Sequence, residues 1–289
     1  MAYTVRTSAE AAVLTEGLGR RFGDTRALRD LDLAVEAGTV LGLLGHNGAG
    51  KTTAVRILTT LLAPSEGRAL VAGHDVVAAP RAVREQVSLA GQQASLDERL
   101  TGRENLMLLA RLQRLSKRDA TARTSHLLER FGIAHAADRQ VGTYSGGMRR
   151  RLDIAMSLVA RPQVLFLDEP TTGLDPRSRR AVWSAVKALA DEGTTVLLTT
   201  QYLEEADRLA DRIAVIDHGR VVAEGSAEEL KARVGGEMLE LFFADPERPT
   251  LRVAVDGPDD VRRMLEEVDG VERIELHRPS LDDVFLALT

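Results

Sequence analysis

The stretch GHNGAGKT at residues 45–52, at the end of the apolar run TVLGLLG, constrains the fold of this chain more than any other feature. It fits the pattern G-x-x-x-x-G-K-[ST] without a mismatch. Glycines let the backbone curl so that successive N–H groups point at phosphate oxygens, and a helix that follows adds its positive N-terminal end. The alternative is a glycine-rich turn that binds nothing, but its place between a buried strand and a helix favours phosphate binding.

Individual residues of this loop have distinct expected roles. Lys51 is expected to reach the β- and γ-phosphates of a nucleotide, and the Thr52 hydroxyl to bind Mg²⁺. His46 is expected to contribute mainly its backbone. The candidate binding residues are Gly45, His46, Asn47, Gly48, Ala49, Gly50, Lys51, Thr52 and Thr53.

Two acidic residues end a second apolar run, VLFLDEP at residues 164–170. Ligands of open α/β sheets bind at the carboxyl ends of the strands. We therefore expect Asp168 to hold Mg²⁺, directly or through water, and Glu169 to polarise an attacking water molecule. Adjacent acids at a strand end are more often merely solvated, but the phosphate loop on the same chain favours the catalytic interpretation.

The segment YSGGM at residues 144–148 predicts a second anion-binding helix N-terminus. Ser145 and the two glycines, Gly146 and Gly147, precede a predicted helix and leave backbone N–H groups exposed. The alternative is a flexible turn with a serine N-cap. One nucleotide does not need two such helix ends from a single chain, but it does if two chains sandwich it.

Composition excludes several classes of protein. The 289 residues include no cysteine, so disulfides, thiolate metal sites and cysteine nucleophiles are ruled out. The net charge of −5 weakens a role in nucleic-acid binding. The N-terminus lacks the pattern of a secretory signal, and TVLGLLG is too short to span a bilayer, so the chain is expected to be cytoplasmic.

Strands that alternate with helices predict an α/β fold with a parallel sheet covered on both faces, including a third strand, TTVLLTT, at 194–200. LRDLDLAVEAG alternates as an antiparallel strand does, and VRILTTLL is expected to be helical up to APSEG. A helical insertion at about 101–160 begins with a capping box of Thr101 and Glu104. The expected domains are a tail at 1–12, a main domain at 13–234 and a C-terminal domain at 235–289, with a boundary at Gly235 and Gly236.

Over roughly residues 13–234 the sequence resembles the ATP-binding cassette (ABC) ATPases. GHNGAGKT resembles the Walker A loop, VLFLDEP the Walker B strand, YSGGM the signature and TGLDP, with Asp175, the D-loop. The resemblance implies that Gln92 senses Mg²⁺ and the membrane partner and that Phe22 stacks on adenine. It implies ATP and Mg²⁺ as cofactors, a P-loop core with an antiparallel β-subdomain and a helical subdomain, and a small α+β C-terminal piece.

The same resemblance implies a head-to-tail homodimer with two ATP molecules at its interface. Ser145 and Gly147 of one copy would contact the γ-phosphate held by Lys51 of the other. Met148 replaces the usual glutamine of the signature, which leaves the backbone contacts and removes a side-chain amide.

A narrower resemblance is carried by GQQASLDERLTGRENL, TTQYLEEAD, VGGEMLEL and RPSLDDVFLALT. These segments are similar to the ATP-binding subunits of daunorubicin/doxorubicin-resistance exporters, in which glutamine replaces the usual switch histidine, so Gln201 would be the phosphate sensor. The resemblance implies a separate integral-membrane permease that binds a hydrophobic small molecule, and a location on the inner face of the cell membrane. The short FADPERPTLRVAV segment indicates an abridged C-terminal domain.

Other features have plainer interpretations, and two rival functions stay open. Arg149, Arg150 and Arg151 are expected to form a solvated helix face, and Trp183 and Phe166 to be core residues. The rivals are a soluble cassette ATPase acting on ribosomes or DNA and a regulatory subunit that binds ATP without hydrolysis. The acidic net charge disfavours the first, and the presence of Lys51, Asp168 and Glu169 disfavours the second.

Overall fold

The apolar run before the glycine-rich loop is a buried strand in the computed structural model, which describes residues 11–92, 95–234, 237–243, 249–255, 257–277 and 279–288. Contacts divide the chain into two units, Met1–Glu224 and Gly225–Thr289. The strands are β1 (Ala11–Phe22), β2 (Thr25–Glu36), β3 (Val40–Leu44), β4 (Glu66–Val71), β5 (His74–Asp75), β6 (Val87–Ala90), β7 (Val164–Asp168), β8 (Thr195–Thr200), β9 (Arg212–Asp217), β10 (Arg220–Gly225), β11 (Glu237–Phe243), β12 (Leu251–Val255) and β13 (Val271–His277). The α-helices are α1 (Lys51–Leu58), α2 (Pro80–Gln86), α3 (Gly102–Leu112), α4 (Lys117–Arg130), α5 (Gly146–Ser157), α6 (Pro176–Asp191), α7 (Leu203–Leu209), α8 (Ala227–Val234), α9 (Pro258–Glu267) and α10 (Leu281–Leu288).

The central sheet of the first unit has the strand order β10-β9-β3-β8-β7-β6. β3 pairs in parallel with β8 and β9, and β7 pairs in parallel with β6 and β8. Alternate residues of β7 enter different apolar clusters: Leu165 and Leu167 pack with α3–α6, whereas Val164 and Phe166 pack with α1 and the antiparallel sheet. The predicted parallel sheet, covered on both faces, is confirmed.

An antiparallel sheet, ordered β2-β1-β4-β5, packs beside this core. The alternating segment that predicted a half-buried antiparallel strand forms β2, which pairs with β1 from Glu36 opposite Ala11 to Thr25 opposite Phe22. Its buried residues alternate with exposed ones, and Gly38 turns the chain at a φ of 74°. This part of the prediction is confirmed.

The helix after the glycine-rich loop is shorter than predicted. α1 ends at Leu58 because the Thr59 hydroxyl donates to the Val55 carbonyl at 2.8 Å and Thr60 takes a φ of 62°. The N–H groups of Leu61 and Leu62 both return to the Arg56 carbonyl, at 2.8 and 3.0 Å, which satisfies that helix end as a C-terminal capping motif does. The prediction that the helix continues to APSEG is therefore wrong.

The predicted helical insertion contains α3, α4 and α5. Its capping box is confirmed, since the Glu104 N–H donates to Thr101 Oγ1 at 3.1 Å and the Thr101 N–H donates to Glu104 Oε2 at 2.8 Å. Asp175 caps α6 by accepting from the N–H groups of Arg177 and Ser178, each at 3.0 Å. Pro176 occupies the first turn of that helix.

The second unit has the predicted order of strand, strand, helix, strand and helix after α8. Its antiparallel sheet is ordered β12-β11-β13 and buries Leu239, Leu241 and Val255 against apolar side chains of α9. The helix α8, placed at the end of the main domain from the sequence, clusters with this unit.

Three sequence-based expectations rest on residues outside the described part of the chain: most of the N-terminal tail, at 1–10, the Gly235–Gly236 boundary, and the shortened segment of the C-terminal domain, at 244–248. The strand β1 begins at Ala11, inside the tail expected at 1–12. The domain bounds inferred from the sequence therefore stay a prediction. In the described part of the chain, no helix is both long and apolar enough to cross a membrane.

Candidate active site

The glycine-rich loop lies between β3 and α1 and folds around the side chain of Lys51. The Lys51 ammonium group, 4% exposed, donates to the carbonyl oxygens of Gly45 at 2.8 Å and His46 at 3.0 Å. Gly50 has a φ of 111°, and a Cβ there would come within 2.7 Å of the Ala27 carbonyl oxygen. A Cβ on Gly45 would overlap the Ile216 carbonyl. Glycine is therefore required at both positions.

The rest of the loop is open to solvent at its tip and closed at its base. His46, Asn47 and Gly48 are exposed, Ala49 and Gly50 are buried, and Thr52 and Thr53 are half-buried at the start of α1. His46 was expected to contribute mainly its backbone, but its ring also makes a contact. The ring Nε2 lies 2.9 Å from Asp217 Oδ1 at the end of β9. The loop thus presents its exposed backbone at the sheet edge where a phosphate is expected.

Asp168, the last residue of β7, meets Thr52 at this edge. Asp168 Oδ1 accepts hydrogen bonds from Thr52 Oγ1 at 3.2 Å and from Thr199 Oγ1 at 2.6 Å, and the residue is 4% exposed. A hydroxyl and a carboxylate are the oxygen ligands that Mg²⁺ takes in nucleotide sites, where substrate phosphates and water supply the others. The donor set fits Mg²⁺. The described residues contain no group of three or more His, Asp or Glu side chains that would hold a metal without the nucleotide.

Glu169 faces the loop lysine. Its Oε1 lies 3.4 Å from Lys51 Nζ, and its Oε2 accepts from the Thr172 hydroxyl at 3.3 Å. Its backbone has a φ of 48°, a left-handed conformation that strains a residue with a side chain. The Glu169 N–H is held by the Thr199 carbonyl and hydroxyl oxygens, both at 3.1 Å. This strained turn aims the carboxylate at the space over the glycine-rich loop.

Gln92 lines an open cleft of about 340 Å³ together with Glu169 and Gly146. The Gln92 side chain is exposed just beyond β6, the neighbour of β7 in the sheet. The structure therefore brings Gln92, predicted to sense Mg²⁺, to the same cleft as the predicted base.

The second predicted anion-binding site forms the start of α5. Ser145 caps this helix by accepting from the Met148 N–H at 3.3 Å, and Ser145 and Gly146 are exposed. Gly147 packs so closely on Ser178 of α6 that a Cβ would overlap that side chain. Ser178 in turn donates to Asp175 Oδ2 at 2.6 Å. In the described chain no hydrogen bond joins residues 145–148 to residues 45–53.

Gln201 and Phe22, the remaining predicted nucleotide contacts, each lie at the end of a strand. Gln201 follows β8, whose last residue, Thr200, accepts a hydrogen bond from the Gly45 N–H at 3.2 Å. The Gln201 side chain is half-buried and has no hydrogen bond to any described residue. Phe22 ends β1 with 46% of its surface exposed, and the Arg20 guanidinium lies 4.7 Å from its ring centroid. An exposed aromatic ring of this kind is suited to stacking on a base.

Arg150 was expected to be solvated but is 8% exposed. Its guanidinium donates to the carbonyl oxygens of Pro170 at 2.8 Å, Gly91 at 2.6 Å and Asp168 at 3.3 Å. It also pairs with Asp153 at 3.0 Å. The prediction of a solvated arginine face is wrong for Arg150, which joins α5 to the segments that carry Asp168, Glu169 and Gln92.

Burial of this ion pair disfavours the charged form of both side chains. Burial lowers the pKa of Arg150, although Asp153 acts against that change. Burial likewise raises the pKa of Asp153, opposed by Arg150 and by the hydrogen bond from the Ser95 N–H. The sequence does contain a signal for the burial of Arg150. At helical spacing it shares a face of α5 with the buried residues Gly147 and Ile154.

The two neighbouring arginines are half-buried and bind backbone carbonyls. Arg149 donates to Gly142 at 2.9 Å, and Arg151 donates to Phe131 at 3.0 Å. Phe166 and Trp183 are buried, as predicted.

Comparison with known proteins bears on the whole chain. The family model described as "ABC transporter" matches residues 28–172. The daunorubicin resistance ATP-binding protein DrrA3 of Streptomyces coeruleorubidus is 52% identical over 97% of this chain and 96% of that protein. The Nod factor export ATP-binding protein I of Rhizobium sp. (strain N33) is 39% identical over 97% of each. Among solved structures, cbiO1 of Clostridium perfringens, part of the ABC transporter complex cbiONQ, superposes with a TM-score of 0.72 at 28% identity and covers 77% of this chain and 91% of its own.

Proposed function

The chain belongs to the ABC transporter family as an ATP-binding subunit with ATPase activity, and we propose that it drives the export of a hydrophobic small molecule through a separate membrane permease. The observation that carries the proposal is the meeting of Thr52, Asp168 and Glu169 beside Lys51 at one sheet edge. These groups are the parts that phosphoryl transfer from ATP requires.

Each group has a proposed task in hydrolysis. The loop N–H groups and Lys51 bind the β- and γ-phosphates, after the Lys51 ammonium exchanges its carbonyl partners for phosphate oxygens. Thr52 and Asp168 hold Mg²⁺, which neutralises phosphate charge when bound, and Gln92 lies within reach of the same cleft. Glu169 orients and deprotonates the attacking water, Gln201 donates to the γ-phosphate, and Phe22 stacks on adenine.

The complete site is proposed to form between two copies of the chain. The helix end formed by Ser145, Gly146, Gly147 and Met148, exposed at its first two residues, has no hydrogen bond to the loop of its own chain, and it offers N–H groups that suit a phosphate. In a head-to-tail homodimer this end would complete the site around Lys51 of the other copy. Asp175 is fixed beside it through Ser178 and would face the same interface.

The partners follow from the relatives. Their names describe drug resistance and export, and we extend both to this chain. An ATP-binding subunit of this kind would sit on the cytoplasmic face of the cell membrane, docked on the permease. The permease, not this chain, would bind the transported molecule, and no nucleic acid is involved.

The proposal is tested by phosphate release and by drug accumulation. Purified protein should release phosphate from ATP only with Mg²⁺, and Lys51→Ala should abolish the activity. Co-expression of the chain with its proposed permease should lower the cellular accumulation of daunorubicin, whereas co-expression of the Lys51→Ala variant with that permease should not. Mg²⁺-dependent hydrolysis without any change in accumulation of daunorubicin or related apolar compounds would contradict the export role.

A further inference from the structure

Glu205, on α7, is a carboxyl group buried inside the first unit; it lies within the segment TTQYLEEAD, and no role has been given to it so far. It is 0% exposed. Its Oε1 accepts hydrogen bonds from the Thr171 hydroxyl at 2.8 Å and from the Trp183 indole N–H at 2.9 Å. Because the two donors come from separate segments of the chain, the Glu205 side chain joins both segments to α7. We call this set of contacts the junction.

The donors belong to segments that carry proposed catalytic functions. Thr171, itself 0% exposed, lies two residues after Glu169 in the same turn. Trp183 lies on α6, the helix that Asp175 caps. One carboxyl oxygen therefore ties α7 both to the turn after the proposed base and to the helix after the D-loop.

The chain around Gln201 is anchored on both sides. On one side, the Tyr202 N–H donates to the Thr200 hydroxyl at 2.9 Å. On the other, the Glu205 N–H donates to the Tyr202 carbonyl at 3.1 Å. The Arg179 guanidinium of α6 also lies 4.9 Å from the Tyr202 ring centroid. The turn that carries Gln201 is thus tied to the first turn of α7, where Glu205 lies, and to α6.

Packing alone does not account for this carboxyl group. Its Oε2 is buried and has no hydrogen bond of good geometry with the described residues, although the Thr200 hydroxyl is near enough to lower the pKa of Glu205. An unpaired buried polar atom opposes folding, and an apolar side chain of similar volume would often be as stable there. Burial also raises the pKa of Glu205, against the opposing effect of the donors around it.

We propose that Glu205 is a positioning residue for ATP hydrolysis: it holds Gln201 and Glu169 in register, so that the phosphate sensor and the base act on the same γ-phosphate. The inference rests on the proposed roles of those two residues. Glu205 touches neither the nucleotide loop nor the cleft, so its effect would be on turnover rather than on ATP binding.

Steady-state hydrolysis by four variants tests the proposal: Gln201→Ala, Glu205→Ala, Glu205→Gln and the double variant Gln201→Ala/Glu205→Ala. Glu205→Ala should lower kcat at least about tenfold while the KM for ATP stays within about twofold. Glu205→Gln should stay within about threefold of wild type, because the amide oxygen accepts from both donors. The double variant should be no slower than the slower single variant, since both changes act through one unit.

A matched control separates positioning from general destabilisation. Asn105, 3% exposed, binds the backbone of Asp97 and Thr101 in the helical region. Asn105→Ala should lower Tm as Glu205→Ala does but leave kcat per folded molecule unchanged.

Trp183 is the single tryptophan of the chain, so its emission reports the junction directly. ATP binding should change that emission in wild type and much less in Glu205→Ala.

The outcomes distinguish this inference from the proposed function. If Gln201→Ala is slow but Glu205→Ala keeps wild-type kcat per folded molecule, the inference is overturned and the proposed function stands. If the two changes multiply in the double variant, Glu205 acts independently of Gln201 and the inference is also overturned. If Gln201→Ala itself is as fast as wild type, the phosphate-sensor role fails, and the inference fails with it.

Discussion

Thr52 and Asp168 lie 116 residues apart in the chain, and the hydroxyl of the first donates to the carboxylate of the second at 3.2 Å. Parallel pairing produces this contact, because β3 and β7 both flank β8 and end at the same edge of the sheet. Thr199, on β8 between them, donates to the same carboxylate oxygen at 2.6 Å. The three side chains shape a small oxygen-lined site, and Glu169 follows directly in the chain.

Replacing Glu169 by glutamine should separate nucleotide binding from hydrolysis. The amide keeps the size of the side chain but does not take a proton from water, so turnover should fall about 10²- to 10⁴-fold. ATP affinity should change little, because Lys51, Thr52 and Asp168 are untouched. Single-turnover phosphate release, beside equilibrium binding of a labelled ATP, measures both effects. Hydrolysis at a near wild-type rate would mean that Glu169 is not the base.

Gln201 should act as a phosphate sensor without a titrating step. A glutamine amide donates a hydrogen bond but does not protonate near neutral pH, unlike histidine. Gln201→Ala should lose about 1.5–3 kcal/mol of transition-state stabilisation, or about 10- to 150-fold in turnover. Gln201→His should stay active and gain a pH dependence between about 5 and 8. Turnover of the three proteins across that range, with the permease present, is the measurement, and equal rates for wild type and Gln201→Ala would refute the role.

Arg150 should matter for both stability and catalysis. Arg150→Ala leaves Asp153 buried without its partner and should lower the free energy of unfolding by about 3–5 kcal/mol. The apolar pair Arg150→Met/Asp153→Leu should recover much of that stability, but not turnover, because the bonds to the Asp168 and Pro170 carbonyls are still missing. Urea unfolding and ATPase assays measure both, with the exposed Arg118→Ala as control. Full recovery of turnover by the apolar pair would make Arg150 purely structural.

Glu205→Gln should gain stability relative to wild type as pH rises through the folded-state pKa of Glu205. Because burial raises the folded-state pKa of Glu205 above the ordinary 4.5, the stability that depends on its proton is present below that value and is lost as pH rises through the folded pKa. The hydrogen bonds from Thr200, Thr171 and Trp183, and after them the charge of Arg179, oppose this shift. Unfolding free energies between pH 5 and 8, with the exposed Glu129→Gln as control for lost charge, test this. A difference that is constant with pH would contradict it.

Local sequence patterns predicted much of this site because each part ends a short, recognisable element. The sequence patterns correctly placed Lys51 after a glycine-rich loop, Asp168 at the end of a strand and Ser145 at the N-terminus of a helix. The roles of Phe22, Gln92 and Gln201 came from the family resemblance alone, since single polar or aromatic residues at strand ends carry no distinctive pattern.

What the sequence did not predict is the buried charge that connects these parts. Arg150 and Glu205 are residue types that are usually exposed, so their chemistry indicated the surface. Both are buried because segments distant in the chain bring donors or acceptors to them, as Thr171 and Trp183 do for Glu205. Contacts over such separations are set by the tertiary fold, and only the position of Arg150 on the buried face of α5 gave a local signal.

Two copies of the chain are proposed to close on ATP through the helix end that begins at Ser145. The most direct test measures, by light scattering, the mass of the Glu169→Gln variant in solution with ATP and Mg²⁺. The double variant Glu169→Gln/Ser145→Arg is measured in the same way for comparison. Glu169→Gln should be a dimer with two bound ATP molecules. The double variant should bind ATP equally well and stay monomeric, because the arginine side chain is bulky and lies at the proposed interface, away from the nucleotide's own loop. A Glu169→Gln protein that is saturated with ATP yet monomeric, or a double variant that still dimerises, would contradict the composite site.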